Sequence, residues 1–477
     1  MASLTHNFVR GLGAGYLATV INIAYTAASI PLALHYLGKE QFGLYALCSS
    51  LFVSLALLDG GIRSLTRVRL ASYSRTSDST APGRILGVGL FTFFMVCALA
   101  LLVAVAIGWG GRWDRLLQLP PGGQRLLLGS GILTAFWMAS VLALEPVAAS
   151  GHLSRVKSAN TWGVLLALPA CFLCLYYRQG PWVTICTLTG CLLLSNAVLL
   201  GQSKIFCDIV LPPLPDWPRV VRETLGEGFP YYLTTVALIA KTHGLTFFIS
   251  AVTGPAEAGV FYLLLRLSET VSHVAGASSE TSVAGLASVP RRERPDLFAQ
   301  AWAWMGLACL HGSLVVFFLL PSVWSAWLPR LTYLPCFIWP ALALFGLAGA
   351  WSQMAVNASM GLGQVRSAAW VALLEFILTI SGAIWGYEHG DFTGLFLGGS
   401  LAMTATLIQA LRLRHILGET FLSLWWRPWK SLIPGLGISA IALYGGSILL
   451  SPKFSLLTAL VPLGIILRQM LAWRRQP

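Results

Sequence analysis

The sequence predicts an all-α integral membrane protein with about fourteen transmembrane helices. Three observations predict it. Of 477 residues, 56% are apolar and only 10% are charged, whereas a soluble domain carries roughly 25% charged residues. Mean hydropathy is +0.73. The chain also divides into apolar runs, each near the roughly 20 residues that a bilayer-crossing helix needs. No large soluble domain fits in what remains between them.

The runs lie at 11–35, 42–62, 85–109, 126–149, 159–177, 181–201, 229–250, 258–285, 298–320, 334–358, 368–387, 392–411, 432–450 and 454–472. The first is too long for the core of a cleavable signal peptide and is expected to be a span. Charge then orients the set. With the N-terminus cytoplasmic, 22 of the 31 Lys and Arg fall in inward segments and 7 in outward ones, while Lys241 and Arg266 lie inside spans. Cationic loops resist translocation, so this asymmetry predicts an even number of spans with both termini inside. The net charge of +13 therefore speaks of membrane topology, not of nucleic acid.

The longest inward connection, 202–228, contains Leu211-Pro212-Pro213-Leu214-Pro215 and reads as a cytoplasmic linker between two six-helix lobes, 1–201 and 229–411. The remaining 412–477 hold spans 13 and 14. An internal repeat supports the division. A shift of 216 residues pairs Tyr16, Leu17, Thr19 and Val20 with Tyr232, Leu233, Thr235 and Val236, and Gly38, Gly43 and Gly60 with Gly254, Gly259 and Gly276. A shift of 209 pairs Val147, Ala149 and Ser150 with Val356, Ala358 and Ser359. Six spans separate the copies, so the repeat is parallel and its axis runs along the membrane normal.

The segment Tyr36-Leu37-Gly38-Lys39-Glu40-Gln41-Phe42-Gly43-Leu44-Tyr45, then Leu57-Leu58-Asp59-Gly60-Gly61-Ile62, and the turns Ser150-Gly151-His152-Leu153 and Met360-Gly361-Leu362-Gly363-Gln364 carry a family likeness. They resemble the polysaccharide-transport branch of the multidrug/oligosaccharidyl-lipid/polysaccharide exporter superfamily, the Wzx-like flippases of O-antigen and exopolysaccharide repeat units. The resemblance implies a MATE-like two-lobed bundle with two extra C-terminal helices, in a bacterial inner membrane. It implies as cargo an undecaprenyl-pyrophosphate-linked oligosaccharide moved from the cytoplasmic to the periplasmic leaflet. A polysaccharide polymerase or export machinery is the implied partner, besides membrane lipids.

Such a cargo needs a cationic site for its diphosphate. Lys241 lies twelve residues beyond Phe229, about 18 Å into its span at the helical rise, and no Asp or Glu occurs in that span. Arg266 is similarly deep. These two, with His243 as helper, are the expected diphosphate ligands, Arg by a bidentate fork and Lys as a point charge. Against this stands a plain ion pair between Arg266 and Glu269, three residues apart on one helix face.

Asp59, Glu145 and Glu375 are the remaining acids in or near spans. Asp59 is four residues from Arg63, so a structural pair competes with an ion-coupling role. Glu145 precedes Pro146, a kink whose freed backbone groups suit a cavity; with Glu375 it is a candidate for cation coupling or sugar binding. Trp137, Trp302, Trp304 and Trp351 lie within spans and suit either sugar stacking or core packing.

Cys171 and Cys174 form a CxxC inside an apolar run with no His or acid, which favours helix packing over metal or redox chemistry. The sequence contains no phosphate-binding loop, ligand-spaced His/Cys set or nucleophilic triad. No cofactor is expected, and transport draws on cargo gradients, a Na+ or H+ gradient, or the membrane potential. Two other classes stay open. A polytopic polymerase or ligase for lipid-linked sugars would need a longer outward loop than 110–125. A cation-coupled drug exporter of the same superfamily fits a cationic cavity poorly.

Overall fold

The computed structural model describes residues 2–54, 61–73, 81–108, 123–148, 152–203, 209–288, 294–328 and 334–402, with short stretches beyond, of which 436–444 is the longest. All regular structure among the described residues is helical. The helices are α1 (Ala2–Ser54), α2 (Ile62–Tyr73), α3 (Ala81–Gly108), α4 (Gly123–Ala143), α5 (Leu153–Tyr176), α6 (Pro181–Ser203), α7 (Trp217–Ile239), α8 (Leu245–Thr253) and α9 (Pro255–Ser288). They continue with α10 (Arg294–Leu314), α11 (Leu320–Trp327), α12 (Ile338–Gly361) and α13 (Val365–Gly399).

Among the described residues, eight helices are long and apolar enough to cross a membrane, and Gly13–Leu47 and Val365–Ala402 each take in parts of two expected spans. The first twelve expected spans fall largely on helix where they are described. Spans 13 and 14 lie largely outside the described residues.

Glycines place the breaks. α1 turns at Gly38 (φ 78, ψ 174), and α8 is divided from α9 by Gly254 (φ 92, ψ 172). Positive φ is cheap only for glycine. These two positions are equivalent under the 216-residue repeat, so the repeat is present in the backbone as well as in the sequence. α13 folds back at Gly390 and Asp391, and its two limbs meet at bare backbone. A Cβ on Gly382 would lie 2.2 Å from the Gly398 carbonyl oxygen, and one on Gly386 would lie 2.0 Å from that of Gly394. Each limb thus presents a Gly-xxx-Gly face, the device that lets helices approach closely in lipid.

Two segments expected as connections are partly helical. The inward stretch 63–84 contains α2, which buries Ile62, Leu65, Thr66 and Leu70 at helical spacing while its arginines stay partly exposed. The 202–228 connection becomes helix at Trp217. Pro218 sits in the first turn, where a missing N–H costs nothing. The Trp217 indole donates to the Pro212 carbonyl at 3.0 Å, and its ring centroid is 4.4 Å from that of Phe91.

The chain forms two compact units, Met1–Gly259 and Val260–Pro477. Their boundary lies beyond the expected linker because α7 and α8 are built into the first unit. A Cβ on Gly61 (φ 77) would fall 2.3 Å from the Gly228 carbonyl oxygen, and one on Gly87 would fall 2.0 Å from that of Val210. Arg69 Nη2 donates to Glu227 Oε2 at 2.7 Å. The first unit has a core of Ile62, Phe93, Met138, Ala139 and Leu142. In the second, Phe396 packs against Phe261 and Phe345, with centroids 5.7 Å and 5.4 Å away.

A side chain at the α13 crossing must push backbone apart, at a cost of about 1–3 kcal/mol or more. Gly386→Leu should lower the melting temperature of the purified protein, whereas Gly129→Ala, with nothing within 4 Å of the added carbon, should leave it unchanged. Thermal unfolding in detergent, followed by tryptophan fluorescence, checks both.

Candidate functional site

Between α7 and α8 the helix widens into a π-helical turn, Ala240–Gly244. Thr242 supplies a local cause. Its hydroxyl donates to the carbonyls of Leu238 and Ile239 at 3.1 Å and 3.2 Å, competing with the backbone N–H groups those carbonyls would otherwise receive. Such insertions are frequent at functional sites. This one carries Lys241 and His243, which are 7% and 4% exposed. Residues two apart on a regular helix do not face each other, and both side chains are buried on this turn.

Arg266 belongs to the second unit. Its Nη1 donates to Glu269 Oε2 at 2.8 Å, and its guanidinium carbon stands 4.8 Å from the centroid of Tyr262. Tyr262, Arg266 and Glu269 are stacked along one face of α9 at helical spacing, and the ring adds a cation–π attraction to the ion pair. The ion pair weighed against the anion-binding reading is therefore present. A diphosphate at Arg266 would share it with the carboxylate.

Glu145 lies at a second break. The α4 helix ends at Ala143, and a single turn, Glu145–Val147, follows because Pro146 has no N–H to continue the ladder. Glu145 is 2% exposed. Its Oε1 accepts from Arg63 Nε at 2.7 Å and Arg67 Nη2 at 2.8 Å, and its Oε2 accepts from Arg67 Nε at 2.6 Å. One carboxylate thus clamps two guanidiniums, and the cluster carries one net positive charge. Arg63 reaches Glu145, while its expected partner Asp59 lies outside the described residues. The arginines were missed as partners, although their four-residue spacing places them on one face of a short helix.

Glu375 is buried on α13 and accepts a hydrogen bond from Ser352 on α12. Trp302 is buried against Phe298, with centroids 5.4 Å apart, and is a core residue. Cys171 donates to the Thr184 carbonyl at 3.5 Å, and Cys174 lies 3.4 Å from the Thr187 hydroxyl. The CxxC therefore stitches α5 to α6.

No family model matches the sequence, and no curated protein matches it. Solved structures do. A MATE crystal structure aligns at 14% identity over 90% of this chain and 96% of its own, with a TM-score of 0.65. A multidrug resistance MATE family transporter of the MOP superfamily aligns in its outward-facing conformation at 14% identity over 90% and 96%, TM-score 0.62. In its inward-facing conformation, such a transporter aligns at 14% over 87% and 99%, TM-score 0.57.

The Glu145 clamp makes a stability prediction. Glu145→Ala leaves two guanidiniums facing each other and should cost on the order of 3 kcal/mol. Arg63→Ala, which leaves Arg67 bonded to both oxygens, should cost far less. Thermal melts of the two variants in detergent check the order. The chain is a multi-pass membrane protein with the MATE transporter fold.

Proposed function

We propose that the protein is an alternating-access flippase that carries polyprenyl-pyrophosphate-linked oligosaccharides from the cytoplasmic to the periplasmic leaflet of a bacterial inner membrane, with both termini cytoplasmic. The single observation that carries the cargo class is Lys241. It is an ammonium buried on a π turn, about 18 Å along the helix from Phe229, and a cation at that depth marks a functional site by default. A diphosphate is the anion that a lipid-linked sugar would bring to it. Two observations support movement of the cargo: the parallel repeat, and a fold shared with outward-facing and inward-facing structures.

Arg266 is the second proposed ligand, held ready by Tyr262 and Glu269. Glu375, with the Ser352 hydroxyl, is the proposed site for a coupling Na+ or proton. The buried carboxylates Glu269 and Glu375 also favour a second reading, a cation-coupled exporter of cationic drugs; the buried lysine opposes it by repulsion. An enzymatic role in joining or polymerising the sugars is the third and least supported.

The test is translocation in proteoliposomes loaded with undecaprenyl-pyrophosphate-linked oligosaccharide. Lys241→Ala should lower the rate at least tenfold, while Lys241→Arg retains part of it, and a cationic dye should not be moved. Normal translocation by the alanine variant would overturn the assignment. Dye export without lipid translocation would establish the drug reading instead.

A further inference from the structure

One face of α9 carries a row of polar side chains that reaches beyond Arg266. Tyr262, Arg266, Glu269 and His273 are spaced by four, three and four residues, which on a regular helix stacks them in a single line about 16 Å long. The neighbours of α9 in the second unit take its other sides. Ser272 Oγ donates to the Gly346 carbonyl on α12 at 3.1 Å, the Val271 carbonyl accepts from Cys309 Sγ on α10 at 3.6 Å, and Phe261 packs on Phe396 of α13. Tyr262 is buried, the side chains of Arg266 and Glu269 are 18% and 11% exposed, and His273 is exposed. The row therefore opens at its His273 end.

The repeat supplies an internal control. Under the 216-residue shift the four positions become Ala46, Ser50, Val53 and Leu57, and Ala46 and Ser50 are fully buried on α1. The first copy thus fills the described part of that face with small side chains, so the row answers no general need of helix packing. Ionisable groups at this depth face a bundle interior or a wet cavity and mark a substrate path. Charge narrows what lies along it. Arg266 repels a cation, Glu269 repels an anion placed beyond Arg266, and the two are joined at 2.8 Å. A neutral, hydroxyl-rich group suits the remainder: a carboxylate accepts from hydroxyls, and a neutral imidazole both donates and accepts.

We infer that Glu269 and His273 read the sugar next to the diphosphate held at Arg266, and so set which glycan the protein accepts. The inference rests on the proposed cargo, in which the first sugar is joined directly to the diphosphate. From Arg266 the helix rises about 4.5 Å to Glu269 and a further 6 Å or so to His273, which sets both within reach of a ring attached to a phosphate at Arg266. Glu269 has two roles here: it positions the guanidinium through one oxygen and accepts from sugar hydroxyls.

The experiment compares dissociation constants of the purified full chain for undecaprenyl pyrophosphate and for the same lipid carrying one glucose or one N-acetylglucosamine. The wild type should hold at least one of the sugar-bearing lipids at least fivefold more tightly than the bare one. His273→Leu should bring that ratio to within twofold of unity, and His273→Gln, which still forms hydrogen bonds, should keep part of it. Glu269→Gln should also lose the ratio and hold the bare lipid more tightly, because Arg266 is released from the carboxylate; a residue that only stabilised the helix would do neither. Ser272→Ala, which alters the contact of α9 with α12, should keep the ratio. A wild type that binds all three lipids equally would overturn the inference and leave the diphosphate reading standing. A ratio that survives both His273→Leu and Glu269→Gln, or that Ser272→Ala abolishes, would overturn it as well. Failure of the wild type to bind any of the three would bring down the cargo reading and this inference with it. His273 is exposed, so its variants decide the matter even if Glu269→Gln does not fold.

Discussion

A buried charge costs several kcal/mol unless it is paired and hydrogen-bonded, and the arrangement of this chain follows from how it meets that cost. Arg63 and Arg67 share the buried carboxylate of Glu145. Arg266 is held between Glu269 and the face of Tyr262. Each cluster sits where the helix is interrupted or where residues three or four apart stack along it. Lys241 occupies a helix that Thr242 has locally opened into a π turn. Under the proposed function this buried ammonium binds the diphosphate of the cargo.

The second constraint is how closely two backbones may approach. Where helices cross at Gly382/Gly398, at Gly61/Gly228 and at Gly43/Pro255, an added carbon would overlap a carbonyl oxygen. The α13 crossing joins two limbs of one helix across a short bend and makes them a rigid hairpin. At the Gly43 crossing, Lys39 and Glu257 form a solvent-exposed ion pair.

Much of the fold was legible because its signals are periodic or compositional. The apolar runs announced the helices, and the repeat pairs Gly38 with Gly254, which both adopt positive φ. Other features depend on pairings that no local pattern contains. Glu145 read as a cavity-lining acid because its partners lie 78 and 82 residues away in sequence, on a helix that hydropathy hides. The pairing of α7 with the first compact unit is set by Gly61, Gly87 and Arg69, whose contacts with the 210–228 region are tertiary. Arg266 and Glu269 were readable as a pair because their three-residue spacing is local.

The central claim is that this protein holds its lipid by the diphosphate. Native mass spectrometry of the purified protein, offered equimolar undecaprenyl pyrophosphate and uncharged undecaprenol, tests it most directly. The account predicts adducts of the pyrophosphate that persist at collision energies at which the alcohol is lost, and that weaken when the lysine at 241 is replaced by glutamine. Equal retention of both lipids, or pyrophosphate adducts unaffected by that replacement, would contradict it.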